Sequence, residues 1–338
     1  MNPVKLSLSV MTAAAALLAG SATGGRAAEA IKPAIVYDLG GKFDKSFNEG
    51  VFHGAEAFKA RTGIVFGEFA PTNDAQIEQG LRNFARKGFS PILGVGFDQA
   101  EPIKKVAAEF PKIKFAIIDG DVNAPNVQAI SFKEYEGSFL AGALAALTTK
   151  TDKIGFVGGM DIPLIRKFSC GYAQGAAAIN PKIGVTINMT GTTGAAWNDP
   201  VKGGELAKSQ IESGVDIIYQ AAGATGIGVL QTVADAGKLG IGVDSNQNGL
   251  HPGHMLTSVM KGVGVATDKT FTEALNGTWQ PGNTVLGLKE QAVSLAFDDE
   301  NAPLISADIK ARIDALQADI IAGKVAVHNY AEDNHCPL

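Results

Sequence analysis

Residues Pro33 to Phe69 read PAIVYDLGGKFDKSFNEGVFHGAEAFKARTGIVFGEF, and the order of patterns inside this stretch decides the fold. Pro33 to Tyr37 is a short apolar run that stops at Asp38-Leu39-Gly40-Gly41. From Phe47 to Thr62 the apolar residues Val51, Ala55 and Phe58 recur at helical spacing, which predicts an amphipathic helix. Gly63 to Phe69 then reads as a second strand. A strand, a glycine-rich turn, a helix and a strand form one βαβ unit, which builds a parallel sheet through a right-handed crossover.

The unit repeats downstream. Helices are expected over Asp74–Lys87 (with an acidic first turn that suits the helix dipole) and Ala100–Phe110. Strands are expected over Ser90–Val95, Lys114–Ile118 and Val127–Phe132. After a helix at Tyr135–Thr148 the alternation restarts. Strands at Lys153–Val157, Gly184–Met189, Asp216–Gln220 and Leu239–Val243 are separated by helices at Leu164–Ile179, Asp199–Ser213 and Ile227–Ala236. From Met255 onward a strand, a helix at Val265–Leu275, further strands and a last helix near Ser306–Ala322 are too little for a third domain, so they return to complete the first two. The roughly three hundred residues after residue 30 exceed what one core usually organises. The expected class is α/β, with two similar lobes.

Residues 1–30 open on a short n-region with one cation, Lys5, followed by an apolar stretch from Leu6 to Gly20 and small residues ending in an Ala-x-Ala pattern at Ala30. That order predicts a cleaved secretory signal peptide, and the apolar run is shorter than the ~20 residues of a membrane span. Ser21 follows Leu17-Leu18-Ala19-Gly20 where a lipoprotein needs Cys, so no lipid anchor is expected and the address is the periplasm. A net charge of −5 gives no reason to expect nucleic acid as a partner. Cys170 and Cys336 either pair in an oxidising compartment, tying the C-terminal tail down, or remain two thiols. Of the five histidines only His251 and His254 lie close together. They flank a Pro-Gly turn and read as a surface loop, since a metal site needs further ligands in fixed geometry. No metal and no cofactor are expected. Ser169-Cys170 falls on a predicted helix without the strained elbow of a catalytic serine.

In an open parallel sheet, ligands bind outside the carboxyl ends of the strands. Those ends supply Asp38 and the run to Ser46, Phe47 and Asn48, then Gly96-Phe97-Asp98, then Asp119-Gly120-Asp121. The second set supplies Gly158-Gly159-Met160-Asp161, Ala222-Gly223-Ala224-Thr225 and Asp244-Ser245-Asn246. Glycines let a ligand approach the backbone closely, and carboxylates and amides give directional hydrogen bonds. Each aspartate taken singly also fits an N-cap of the next helix. No P-loop signature occurs, and the Gly223, Gly226, Gly228 spacing matches a dinucleotide fingerprint only weakly.

With these segments in view, the chain resembles the basic membrane protein family of ABC-transporter substrate-binding proteins, which includes purine-nucleoside receptors. The matching stretches are Asp44 to Gly50 (DKSFNEG), Gly94 to Phe97, Phe115 to Asp119 and Ser131 to Gly142 (SFKEYEGSFLAG). Gly155 to Phe168 (GFVGGMDIPLIRKF), Gly242 to Ser245 and Ser258 to Lys261 complete the set. The resemblance implies a type I periplasmic-binding-protein fold with three inter-lobe crossovers. The N-terminal lobe would be 31–132 plus about 260–282, and the C-terminal lobe 133–259 plus about 283–338. Hinges would lie near Phe132-Lys133, Ser258–Lys261 and Gly282-Asn283.

The resemblance also implies a site. Phe47 stacks on the base, Asn48 offers a donor and an acceptor to the base edge, and Asp38 and Asp119 face the ligand from the first lobe. Asp244 and Lys261 grip ribose hydroxyls, and either Trp197 or Phe168 supplies the second stacking face. Asn246 stands where many relatives carry Asp, a departure expected to retune the ribose end. The implied function is a non-enzymatic solute-binding component of an ABC importer, a monomer that closes on a nucleoside (purine favoured) and hands it to an inner-membrane permease. Alternatives on the same fold are a binder of another heterocycle such as a flavin, a chemoreceptor-type sensor, and a nucleoside hydrolase.

Overall fold

The computed structural model describes Met1 and residues 31–338; the expected signal peptide, apart from Met1, lies outside the described residues. The chain runs β1 (Ala34–Val36), α1 (Phe47–Thr62), β2 (Gly67–Phe69), α2 (Asp74–Arg86), β3 (Ile92–Val95), α3 (Ala100–Glu109), β4 (Phe115–Ile118) and β5 (Val127–Phe132). It continues through α4 (Glu134–Thr148), β6 (Lys153–Met160), α5 (Pro163–Ile179), β7 (Gly184–Gly191), α6 (Pro200–Glu212), β8 (Ile217–Ala221), α7 (Thr225–Asp235), β9 (Leu239–Asp244) and β10 (Met255–Lys261). It ends with α8 (Val263–Asn276), β11 (Gly282–Leu286), β12 (Val293–Leu295) and α9 (Ala307–Ile321).

These elements form two six-stranded sheets, ordered β11-β5-β4-β3-β1-β2 and β12-β10-β9-β8-β6-β7. All neighbours are parallel except β12, which runs antiparallel to β10. Central strands such as Ile92–Val95 and Phe115–Ile118 are buried along their whole length, as befits sheets covered by helices on both faces. One core cluster joins both lobes through residues such as Tyr37, Phe58, Phe132, Phe156 and Phe271. Separate clusters fill the outer faces, around Ile77 and Val106 in the first lobe and around Ala207 and Val229 in the second.

The expected strand at Gly63–Phe69 shortens to Gly67–Phe69. Gly63 takes φ +75° and its N–H bonds back to Lys59 O, so the first residues of that run end α1 instead of extending the sheet. In the second lobe α4 and α5 pack almost backbone to backbone. A Cβ on Gly142 would stand 1.9 Å from Tyr172 O, and one on Gly175 would stand 1.8 Å from Phe139 O.

The chain passes between the sheets three times: after Phe132 into α4, after Lys261 into α8, and between β11 and β12. Two expected boundaries shift. Gly282–Leu286 pairs with Gln128–Phe132 in full register, so the third crossing starts after Leu286, not at 282–283. Met260 pairs with Asp244 and Lys261 with Val293, which keeps both in the second sheet, past the expected break at 259–260.

Candidate functional site

The carboxyl ends of β1, β3 and β4 face those of β8, β9 and β10 across a cleft. It holds about 540 Å³ of space between atoms, solvent at its mouth included. Four aromatic side chains line it: Phe47 and Phe97 from the first lobe, Phe168 and Trp197 from the second. Among the described residues, four carboxylates, Asp38, Asp44, Asp119 and Asp244, share the walls with a single ammonium, Lys261. Leu164, Ile165, Ala221 and Val243 complete the apolar surface.

Lys261 is the last residue of β10 and is nearly inaccessible, at 3% side-chain exposure. Its Nζ lies 2.5 Å from Asp119 Oδ2 and 2.9 Å from Glu134 Oε1. The rings of Phe47 and Phe132 stand 5.2 Å away and that of Phe168 5.6 Å, within cation–π range. Burial disfavours the ammonium, but Asp119, Glu134 and Asp244 outweigh it and hold the amine protonated beyond the ordinary lysine range. Asp119, at φ +66°, is pushed up to about 6 by burial, with Lys261 opposing. Its second oxygen, Oδ1, is buried without a partner.

At the other carboxylates the neighbours are mainly amides. Asp44 Oδ1 accepts from Ser46 N at 2.9 Å and Glu49 N at 3.1 Å, and its Oδ2 accepts from Asn48 N at 2.9 Å. It therefore satisfies the open N–H groups at the start of α1. Asn48 Nδ2 donates to Asp38 Oδ1 at 2.5 Å and to Asp44 Oδ2 at 3.3 Å, while Asn48 Oδ1 accepts from Asp38 N at 3.1 Å. Burial pushes both Asp38 and Asp44 up to about 7, opposed by these hydrogen bonds.

The lobes touch beside the cleft. Ser46 Oγ donates to Asp244 Oδ2 at 2.7 Å, Ser245 Oγ donates to Ser46 O at 2.8 Å, and Gln247 Nε2 donates to Lys45 O at 2.8 Å. Asp244, at φ +62°, is raised to about 6 by burial, with Lys261 and the Ser46 hydroxyl opposing.

Nine of the twelve residues expected from the sequence line the cleft together: Asp38, Phe47, Phe97, Asp119, Phe168, Trp197, Gly223, Asp244 and Lys261. Three do not. Asn48 is fully buried and spends its amide on Asp38 and Asp44, so it fixes those carboxylates instead of facing a ligand. Ser46 is spent on the contact with Asp244. Gly159 lies behind Trp197, where a Cβ would stand 2.1 Å from the indole Cζ3. Asn246 also turns away, donating to Asp298 Oδ2 at 2.7 Å, so it is not a wall residue. Cys170 and Cys336 are joined, with Cα atoms 5.6 Å apart, and the Gln174 side chain on α5 holds the same tail by donating to the backbone carbonyl of His328 and accepting from its backbone N–H.

Sequence reasoning missed Asp44, whose place three residues before α1 was the available signal. It also missed Glu134 and Lys167. Both have charged neighbours, Lys133 and Glu136 beside Glu134 and Arg166 beside Lys167, so nothing local marks them as buried.

A family model described as "ABC transporter substrate-binding protein PnrA-like" matches residues 31–329. A Lactococcus lactis protein named "ABC transporter nucleoside-binding protein BmpA" is 30% identical over 348 residues, covering 94% of this chain and 96% of the relative. An uncharacterized lipoprotein of Pyrococcus horikoshii is 33% identical over 308 residues, covering 86% and 76% respectively. Among solved structures, an ABC transporter solute-binding protein from Aeropyrum pernix superposes with a TM-score of 0.82 at 27% identity, covering 89% of this chain and 94% of its own.

Proposed function

This chain belongs to the Bmp family of PnrA-like ABC transporter substrate-binding proteins, and from that premise we propose that it captures a nucleoside, purine favoured, and passes it to an inner-membrane ABC permease. The observation that carries the reading is the pairing of flat aromatic faces with a carboxylate–ammonium group in one cleft. Phe47 with Trp197 or Phe168 suits a heteroaromatic base. Asp119 and Asp244 accept from sugar hydroxyls, and Lys261 donates to them while balancing the charge. Capture proceeds by hinge closure about the three crossovers, each lobe supplying part of the wall.

The cleft is read as a binding site and not a hydrolytic one because its acids are tied to fixed partners: Asp44 to helix N–H groups, Asp244 to Ser46, Asp119 to Lys261. Calorimetric titration with inosine, guanosine, adenosine and uridine tests the ligand class. Heat with at least one of them is expected, and silence with all four at micromolar-sensitive concentrations rejects a nucleoside. Free base accumulating with time would reject the non-enzymatic reading.

For location, we infer that residues 1–30 direct export of the chain. N-terminal sequencing of the protein recovered from whole cells checks this: cleavage after Ala30 leaves Ile31 first, and a chain that keeps Met1 would reject export by this segment.

A further inference from the structure

Four buried charges form a chain behind the cleft wall. Asp119 meets Lys261 at 2.5 Å, Lys261 meets Glu134 at 2.9 Å, and Glu134 meets Lys167 at 2.5 Å. Their side chains are 5%, 3%, 1% and 11% exposed. Lys167, on α5, also donates to Phe132 O at 3.0 Å, the last residue of β5. Glu134 opens α4 two residues later, and Lys261 ends β10. The chain of charges therefore rests on the first two crossovers and reaches the cleft only at Asp119 and Lys261.

We propose that Glu134 and Lys167 are positioning residues for ligand binding: Glu134 holds the Lys261 ammonium at the cleft wall, and Lys167 holds Glu134 against the first crossover. The reason is one of competing demands on Asp119 and Asp244. Both are needed as acceptors for a ligand that donates, and Asp119 Oδ1 stands unpartnered for that purpose. An ammonium left with only those two counter-charges would draw them away from the ligand. Glu134 faces Lys261 from outside the cleft lining, so it supplies a permanent counter-ion that no ligand competes for. Lys167 in turn neutralises Glu134, since a buried carboxylate shared by two ammonium groups avoids an uncompensated charge. The groups facing Lys261 are Asp119 from the end of β4, Glu134 from α4 and Asp244 from the end of β9.

The ligand arm of the test rests on the nucleoside reading, so a second arm needs no ligand. Inosine and 2′,3′-dideoxyinosine are titrated into wild type, E134Q and K167M. In the same proteins, carrying lysine labelled with ¹³C, the ε-carbon shift of Lys261 is followed against pH. Positioning predicts that E134Q weakens inosine at least about tenfold while changing the dideoxy analogue much less, because only the hydroxyl end is disturbed. It also predicts that Lys261 shows no titration up to about pH 11 in wild type but begins to titrate below that in E134Q. K167M weakens inosine by less than E134Q does and leaves Lys261 untitrated up to about pH 11, because removing a neighbouring cation favours the protonated amine. Equal losses for the two ligands, or a Lys261 signal unchanged in folded E134Q, overturn the proposal. If wild type binds no nucleoside, the nucleoside reading fails and the lysine titration alone decides positioning. If E134Q does not fold, E134Q/K167M, which removes one charge of each sign, is read by the same criteria.

Discussion

Asp119 and Lys261 meet at 2.5 Å through Asp119 Oδ2, while the other oxygen of the same carboxylate, Oδ1, is buried and accepts from no donor. Leaving a buried acceptor unsatisfied costs about 1–3 kcal/mol, so a ligand that places a donor at Oδ1 is favoured over one that places an apolar group there. Asp119→Asn replaces one carboxylate oxygen with an amide and weakens the ion pair. Asn tolerates the left-handed backbone at this position (φ +66°) better than most residues. Ligand affinity is expected to fall about 10- to 100-fold, or ~1.4–2.8 kcal/mol, with the circular dichroism spectrum unchanged. Wild-type affinity in Asp119→Asn would sink the role given to this carboxylate.

Much of the fold was legible because its signal is local. The restart of strand–helix alternation after Tyr135–Thr148 marks the second sheet, and each strand end delivers a short list of polar residues to the cleft. What the sequence could not show depends on long-range register. Gly282–Leu286 looks like any edge strand until its pairing with β5 assigns it to the first lobe. The same limit applies to Asn48, Ser46 and Gly159. Their placement at strand ends and the start of α1 was readable, but whether each faces the ligand or a neighbouring side chain is decided by contacts two to two hundred residues away. The charges of Glu134 and Lys167 were visible, and only the convergence of α4 with α5 made them partners.

Asp38 and Asp44 bind their protons more tightly in the folded chain, both moving from 3.8 to about 7 chiefly through burial. For a carboxyl whose folded value is raised, the stability it contributes is fully present below the unfolded value and is lost as pH rises through the folded one. Glu134 acts in the opposite sense: burial pushes it up, but Lys261 and Lys167 hold it below the ordinary range, so its contribution is lost in acid. Between pH 5 and 8 the first effect dominates. The protein should therefore lose stability as pH rises across that window, by up to about 2.7 kcal/mol for each carboxyl, and by less at Asp38, which keeps some exposure to the cleft. Thermal melts of wild type and Asp38→Asn check it: the variant should show a flatter profile, and an identical slope would remove Asp38 as a cause.

Ser46 and Asp244 join the lobes at 2.7 Å. A hydrogen bond to a charged acceptor is worth about 1.5–3 kcal/mol, enough to bias a hinge equilibrium by tenfold or more. Ser46→Ala should open the ligand-free protein, seen as a larger radius of gyration in small-angle scattering, and ligand should restore the compact value. An unchanged radius in the empty variant would show that the Ser245 and Gln247 contacts hold the lobes together without Ser46.

Gly159 and Trp197 offer a test of the aromatic wall that leaves every polar group in place. A Cβ on Gly159 would stand 2.1 Å from Trp197 Cζ3 and 2.4 Å from Cε3, so Gly159→Ala cannot be accommodated unless the indole moves. Because Trp197 lines the cleft, its displacement alters the shape available to a base. Overpacking of this kind costs about 1–3 kcal/mol. The expected outcome is a folded protein with weaker nucleoside binding and a shifted Trp197 emission, measured in a Trp279→Phe background so that the second of the two tryptophans is silent. Adding Trp197→Phe to Gly159→Ala should recover part of the affinity, because the smaller ring leaves room for the methyl while keeping an aromatic face. If Gly159→Ala alone binds as wild type does, Trp197 is not a stacking face and Phe168 carries that role with Phe47.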